Sequence, residues 1–275
     1  MPCYDLHSHS TASDGTLSPA ALVERAAAQG VDVLALTDHD DTAGVAAATA
    51  AARQAGIHLV PGVEVSVSWK GVVLHVVGLQ VDPLNAALRD GLQGLRRQRE
   101  QRAVAIASSL DKAGISGALE GARALASGAI ISRTHFAHFL VGRGLAKDVR
   151  AVFKRYLVRG KPGFVAGVWA PLETAVGWIK GAGGQAVLAH PARYRMTGTR
   201  LNRFLDEFQA CGGVGIEVVC GTHSVDETRV MGQRAINRGL LGSVGSDFHG
   251  PESPWVELGR LAPLPAGVTP IWRDW

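Results

Sequence analysis

The chain is short of the features that mark membrane, secreted and disulfide-built proteins. No apolar run reaches the ~18 residues of a spanning helix, so no membrane partner is expected. Three cysteines (Cys3, Cys211 and Cys220) are too few and too dispersed for a disulfide framework, and a reducing, cytoplasmic compartment is expected. The opening MPCYDLHSHS has no basic segment followed by an apolar one, so it does not read as a secretory leader. Internal repeats and low-complexity tracts are also missing. What is there is a globular composition of 275 residues, 47% hydrophobic and 19% charged. That suffices for a sizeable core in one domain, with room for an insertion.

The net charge of +4 is unevenly spread. Residues 89–161 hold fifteen Lys/Arg against five Asp/Glu; of the 28 basic and 24 acidic residues, thirteen and nineteen remain elsewhere. An acidic body fits a cation site. A basic block fits a polyanionic substrate, a phosphate ester or nucleic acid, or else a solvated helical surface.

Strand-like and helical patterns alternate over most of the chain. Residues 32–37 (DVLALT) read as a buried strand, the Ala-rich 43–55 as a helix stopped by Gly56, and 58–67 and 72–79 as two more strands. From residue 86 the pattern turns wholly helical: one long helix to 113, then shorter pieces near 120–127, 134–142 and 148–158, closed by the turn Lys161-Pro162-Gly163. The rhythm then returns, with helices at 171–182, 201–210 and 225–237 preceding strands at 185–189, 214–219 and 241–245. Alternating βα units predict a parallel sheet, open or closed. The expected architecture is an α/β barrel body over 1–84 and 162–275, with a small all-helical insertion (cap) at 85–161.

Chemistry concentrates at the strand ends. The predicted N-terminal strand carries His7 and His9, two apart and so on one side. His-x-His alone is a weak signal. Here Asp14 follows in a loop, His39 comes just after DVLALT, Glu64 and His75 lie in the next two strands, His190 follows QAVLA, and Asp247 and His249 follow LLGSVGS. A βα barrel builds its active site at the C-terminal strand ends, so these nine residues are read as one metal-binding rim. Imidazole with carboxylate suits manganese, zinc or iron, with manganese favoured and magnesium less suited. A carboxylate such as Glu64 can bridge two cations, which activate water and neutralise phosphate oxygens. Of the other histidines, His58 reads as structural or exposed, His138 as helix packing and His223 as a loop residue; the cysteines read as apolar filler.

The stretches DLHSHSTASDGTLSP, ALTDHDD, GVEVS, LHVVG, LAHP and GSDFHGP resemble the successive motifs of the PHP (polymerase and histidinol phosphatase) phosphoesterase superfamily. That resemblance covers nearly the whole barrel body. It implies a distorted (β/α)7 TIM-like barrel and three divalent metals: one on His7, His9, Glu64 and Asp247, a second on Glu64, His75 and His190, a third on Asp14, His39 and His249. Glu64, Asp247, Asp14 and His39 are then the catalytic candidates.

The insertion supplies candidate substrate contacts. Arg99 and Arg102 share one helix face, and Arg133, Thr134 and His135 open another helix, where free N–H groups favour anions. Arg193 follows His190-Pro191 near the predicted metals. Guanidinium forks suit phosphate oxygens; the alternative is a solvent-facing surface. The RTHFA segment resembles the branch of the superfamily that contains nucleoside 3′,5′-bisphosphate phosphatases and 5′→3′ exonucleases on short RNA. By that resemblance a metal-bridging hydroxide would attack the 3′ phosphorus while the insertion held the 5′ phosphate. The alternatives are an exonuclease on short RNA or DNA oligonucleotides, distinguished by its products; a histidinol-phosphate phosphatase, which the basic insertion disfavours; and a non-catalytic nucleic-acid-binding module, which the full ligand set disfavours.

Overall fold

A computed structural model of the chain describes residues 2–275 except positions 127, 129 and 195. Seven strands form a closed barrel in the order β1 (Tyr4–Asp5), β2 (Val33–Leu36), β3 (His58–Trp69), β4 (Val72–Leu79), β6 (Gln185–Leu188), β7 (Gly215–Cys220), β8 (Leu241–Gly245). Closure comes from the N-terminal segment running along β8. The Leu6 N–H donates to the Val244 carbonyl (2.9 Å), and the Asp247 N–H to that of His7 (2.8 Å). The expected distorted TIM-like barrel is the observed architecture. The helices α1 (Pro19–Ala28), α2 (Val45–Ala55), α7 (Leu172–Gly181), α8 (Gly198–Ala210) and α9 (Val225–Arg238) belong to this body. Gly56 ends α2 in the left-handed conformation, as its lack of a Cβ permits.

The distortion is specific. β4 runs antiparallel to both of its neighbours, β3 and β6, whereas the βα rhythm predicts parallel pairing throughout. The physical reason is the two-residue turn between β3 and β4, Lys70 (φ +45°) and Gly71 (φ +78°). So short a turn can only fold a strand back on itself. β3 pairs with β2 only over its first four residues, His58–Pro61. Its remainder continues past the rim with β4, where the short β5 (Ala170–Pro171) joins it. His75 therefore reaches the C-terminal rim because its strand is reversed, not because it ends there.

Two further differences are local. The N-terminal strand is only two residues long, although an isolated bridge, Ser8 to Phe248, keeps the next residues extended. Helix α1 is absent from the sequence reading, yet its start is encoded in Ser18-Pro19: the Ser18 hydroxyl accepts from the Ala21 N–H, and proline opens the first turn.

Between β4 and β5 lie α3 (Ala86–Lys112), α4 (Ala118–Leu125), α5 (Arg133–Gly142) and α6 (Val149–Val152), the last running into a π turn at Phe153–Leu157. The expected helical piece near 120–127 is α4; position 127 lies outside the described residues. Helix α3 links the two parts. Its Leu88, Leu92 and Leu95 pack into the barrel body. Ala103, Ile106 and Leu110 pack instead with Phe136, Leu140, Val152 and Leu157 of the following helices. No described helix is long and apolar enough to cross a membrane.

Phe136 is fully buried in the centre of the helical cluster. Phe136→Ala is expected to destabilise that unit by about 3–5 kcal/mol, read as a lowered denaturant midpoint for fluorescence or hydrogen exchange of α3–α6.

Candidate metal centre

Strand ends and the loops after them bring the nine predicted ligands together. His7 and His9 come from the segment after β1, His39 from the residues after β2, Glu64 from β3, His75 from β4, His190 from just after β6, and Asp247 and His249 from just after β8. Their donor atoms fall into overlapping groups, each able to converge on one point: His7, His9, Glu64 and Asp247; His9, Asp14, His39 and His249; His39, Glu64 and His75. His190 joins through its Nε2, 2.9 Å from Glu64 Oε1. The expected middle group thus shares Glu64 and His75 with the observed one, and His39 stands between two groups.

The electrostatics are those of a packed donor cluster. Against the opposing effect of burial, His75, His39 and His7 hold Glu64 well below the usual carboxylate range. His39 and His249 do the same for Asp14, and Arg193, His7 and His249 for Asp247, burial again opposing. Burial, reinforced by His249, pushes His9 down to about 3. Asp14 and Asp247 overcome burial to raise His249 to about 9.

The donor set also fits a bound cation on its own geometry. His9 Nδ1, Asp14 Oδ1 and His190 Nδ1 are buried without a hydrogen-bond partner. His39 Nδ1 and Glu64 Oε2 lie 2.8 Å apart yet make no aligned hydrogen bond. His7 Nε2 and His9 Nε2 face each other at 3.1 Å. Buried polar atoms are rarely left unpaired, and a cluster of imidazoles and carboxylates aimed inward is the ligand chemistry of divalent metals.

Asp14, His39, Glu64, His75, His190, Asp247 and His249 line a cavity of about 310 Å³, walled further by Arg99 and Arg102 of α3, Arg133 and Thr134 of α5, Phe153, Phe164 and Trp169. Arg99 lies on that wall but is engaged: its Nε donates to Asp40 (2.6 Å), its Nη2 to Ser66 (2.8 Å), and its guanidinium stacks 4.9 Å from the Trp169 ring. Arg102 donates to the Val165 carbonyl (3.0 Å) and also faces Trp169. Arg133 lies over Phe153. Among the described residues neither Arg102 nor Arg133 has a carboxylate within ion-pair distance. Burial and then the neighbouring Arg133 push Arg102 down to about 10; burial and Arg99 lower Arg133. The Thr134 hydroxyl donates to Asp14 Oδ2 (3.2 Å). Arg193 pairs with Asp247 and donates to Thr222. His135 is not on the cavity wall. Its Nδ1 accepts the Ser132 N–H (3.0 Å), closing the capping box of α5. The sequence reading missed Arg159, Phe153, Phe164 and Trp169, which also line the cavity. Arg159 was visible only as one charge in the basic block.

The PHP domain family matches residues 5–124. A 3′,5′-nucleoside bisphosphate phosphatase of Chromobacterium violaceum is 50% identical over 275 residues, spanning 100% of this chain and 96% of its own. The chain belongs to the PHP family. A 5′-3′ exoribonuclease of Haemophilus influenzae is 47% identical over 270 residues, 98% of each chain. A solved structure described as an amidohydrolase from Chromobacterium violaceum, with bound sulfate and no metal, is 50% identical and superimposes with a TM-score of 0.95. It covers 98% of this chain and 94% of that one. With its family and its donor cluster, this chain is a phosphoesterase with a site suited to divalent metals.

Against burial, Asp14 and Asp247 raise His249 to about 9, which favours the imidazolium at neutral pH, and a proton must leave before it can ligate a metal. Mn²⁺ binding at pH 7 is expected to release protons, and the release should decline as pH rises past about 9. Calorimetry in buffers of different ionisation enthalpy measures it.

Proposed function

We propose that this PHP protein hydrolyses the 3′-phosphate of nucleoside 3′,5′-bisphosphates, using three divalent metals, manganese foremost. The carrying observation is the pair of cavity arginines without carboxylate partners, Arg102 and Arg133, on the wall that faces the metal-type cluster. Half-buried guanidiniums without an acid partner are stabilised when an anion arrives, and the two stand ready for a second phosphate on the same substrate. The phosphatase relative supports the same reading. The free thiols fit a reducing, cytoplasmic setting.

His7, His9 and Asp247 with Glu64 would hold one metal, Glu64, His75 and His190 a second, and Asp14, His39 and His249 a third. Metals bound there supply Lewis-acid activation of water and neutralise charge on the phosphoryl oxygens. The protein's own part is positioning. Arg102 and Arg133 fix the 5′ phosphate, and the aromatic faces of Phe153 and Phe164 exclude water from the nucleoside. Arg193, tied to Asp247 and Thr222, presents a guanidinium to the equatorial oxygens as charge develops. Thr134 holds the Asp14 carboxylate in place.

A second reading has its own support. A separate outer groove of about 370 Å³, lined by Gln98, Gln101 and Ala105 of α3, shares Arg102 and Trp169 with the cavity wall. A second nucleotide could follow the first along it, as in 5′→3′ trimming of short RNA, the activity named for the Haemophilus relative.

The decisive assay is phosphate release with Mn²⁺ over nucleoside mono- and bisphosphates, histidinol phosphate and a short 5′-phosphorylated RNA. Release from the 3′ position of bisphosphates is expected, and chelation should abolish it. Turnover of histidinol phosphate alone overturns the reading. Arg133→Ala removes one charged hydrogen bond, of about 1.5–3 kcal/mol. It should raise KM for the bisphosphate roughly ten- to a hundredfold, with a smaller change in kcat.

A further inference from the structure

Glu217 is a carboxylate in the middle of β7, a strand whose six residues are all buried. It is 2% exposed and does not line the cavity, so it cannot touch a substrate. Both of its oxygens are nonetheless committed toward the metal centre. Oε1 lies 2.9 Å from His7 Nδ1, and Oε2 accepts the backbone N–H of His190 at 2.6 Å.

The fold makes room for this arrangement. Register between β7 and β8 shifts between Glu217 and Val219, an irregularity of the kind that can turn a side chain out of the regular alternation. On β8, a Cβ added at Gly245 would stand 2.7 Å from Glu217 Oε1 and 2.3 Å from His7 Cβ. Only glycine leaves space for the carboxylate and imidazole to meet. His190 itself sits at φ +27°, ψ 56°, directly before Pro191. That backbone state is strained for a non-glycine residue, and the following proline disfavours it further. The bond from its N–H to Glu217 is one of the contacts that hold it there.

We infer that Glu217 is a positioning residue that orients two metal ligands at once: it fixes His7 as the Nδ1–H tautomer, turning the Nε2 lone pair inward, and it pins the backbone that carries His190. A carboxylate only accepts, so the shared proton belongs to His7 Nδ1. His7 Nε2 is then left facing Glu64 Oε2 (3.4 Å), Asp247 Oδ1 (3.5 Å) and His9 Nε2 (3.1 Å). Such outer carboxylates tune both the orientation and the basicity of a ligating imidazole. Glutamine cannot replace it: its one oxygen satisfies one of the two donors, and its NH₂ confronts the other. The inference rests on the proposed metal roles of His7 and His190.

The test uses the full-length protein stripped of metal and titrated with Mn²⁺ by calorimetry, with bound metal counted by elemental analysis. Glu217→Gln should bind Mn²⁺ on the order of 10- to 100-fold more weakly than wild type, and Asp247→Ala serves as the ligand-deletion reference. Loss of metal in Asp247→Ala with wild-type affinity in Glu217→Gln overturns the role of Glu217 and leaves the metal centre standing. Wild-type affinity in both overturns the metal centre itself. A second measurement needs no variant. Histidine ¹⁵N spectra of the wild-type protein loaded with diamagnetic Zn²⁺ should show His7 protonated at Nδ1 and metal-bound at Nε2. The opposite assignment refutes the inference even if Glu217→Gln fails to fold.

Discussion

The Glu64 carboxylate sets the terms for the rest of the molecule. It is fully buried, and five imidazoles turn toward it. His75 Nδ1 (2.8 Å) and His190 Nε2 (2.9 Å) approach one oxygen; His39 Nδ1 (2.8 Å), His7 Nε2 and His9 Nε2 (both 3.4 Å) approach the other. An isolated buried carboxylate costs several kcal/mol, so its surroundings must bring polar partners to it from many directions. No single helix or hairpin presents five imidazoles to one point. A closed barrel does, because the C-terminal ends of β1, β2 and β6 converge on one rim, and the reversed β4 brings His75 to the same level.

Holding that convergence strains the backbone. Asp40 (φ +50°), His190 (φ +27°) and Asp247 (φ +57°) are non-glycine residues in the left-handed region, and each follows a barrel strand closely. Such conformations cost of order 1–3 kcal/mol apiece. Each is retained by specific bonds. Ser66 N–H and Arg99 hold the Asp40 carboxylate, Glu217 holds His190, and the Asp247 N–H is fixed to the His7 carbonyl. The rim is thus built for ligand geometry, and the surrounding sheet supplies the stability it lacks.

How legible this was depends on the range of the signal. Strand β8 and the stop at Gly56 follow from local pattern, and the nine candidate ligands follow from residue type combined with position at strand ends. The reversal of β4 was less visible, because Val72–Leu79 alternates in the same way whichever direction it runs; only the Lys70-Gly71 turn distinguishes the two. Glu217 carries no local signal in the sequence, a single acid in an apolar strand, since its two partners lie 210 and 27 residues away. His135 illustrates the opposite error. At a helix start it suits an anion site, but the same position suits a capping box, and the Ser132 N–H claims its ring nitrogen. Arg159 and Trp169 carry no local signal at all and join the cavity only through the packing of the insertion.

The insertion's charge has two different uses. Arg96 donates to the Asp40 carbonyl (2.9 Å), and Arg99 to the Asp40 carboxylate. These two arginines therefore clasp the loop that carries His39. One helical turn on, Arg102 has no such acid, and with Arg133 it leaves positive charge concentrated inside the cavity. The repulsion that this concentration produces lies between α3 and α5, away from the clasp on Asp40. One helix thus serves ligand geometry with the turn that carries Arg96 and Arg99, and charge with the next turn, which carries Arg102.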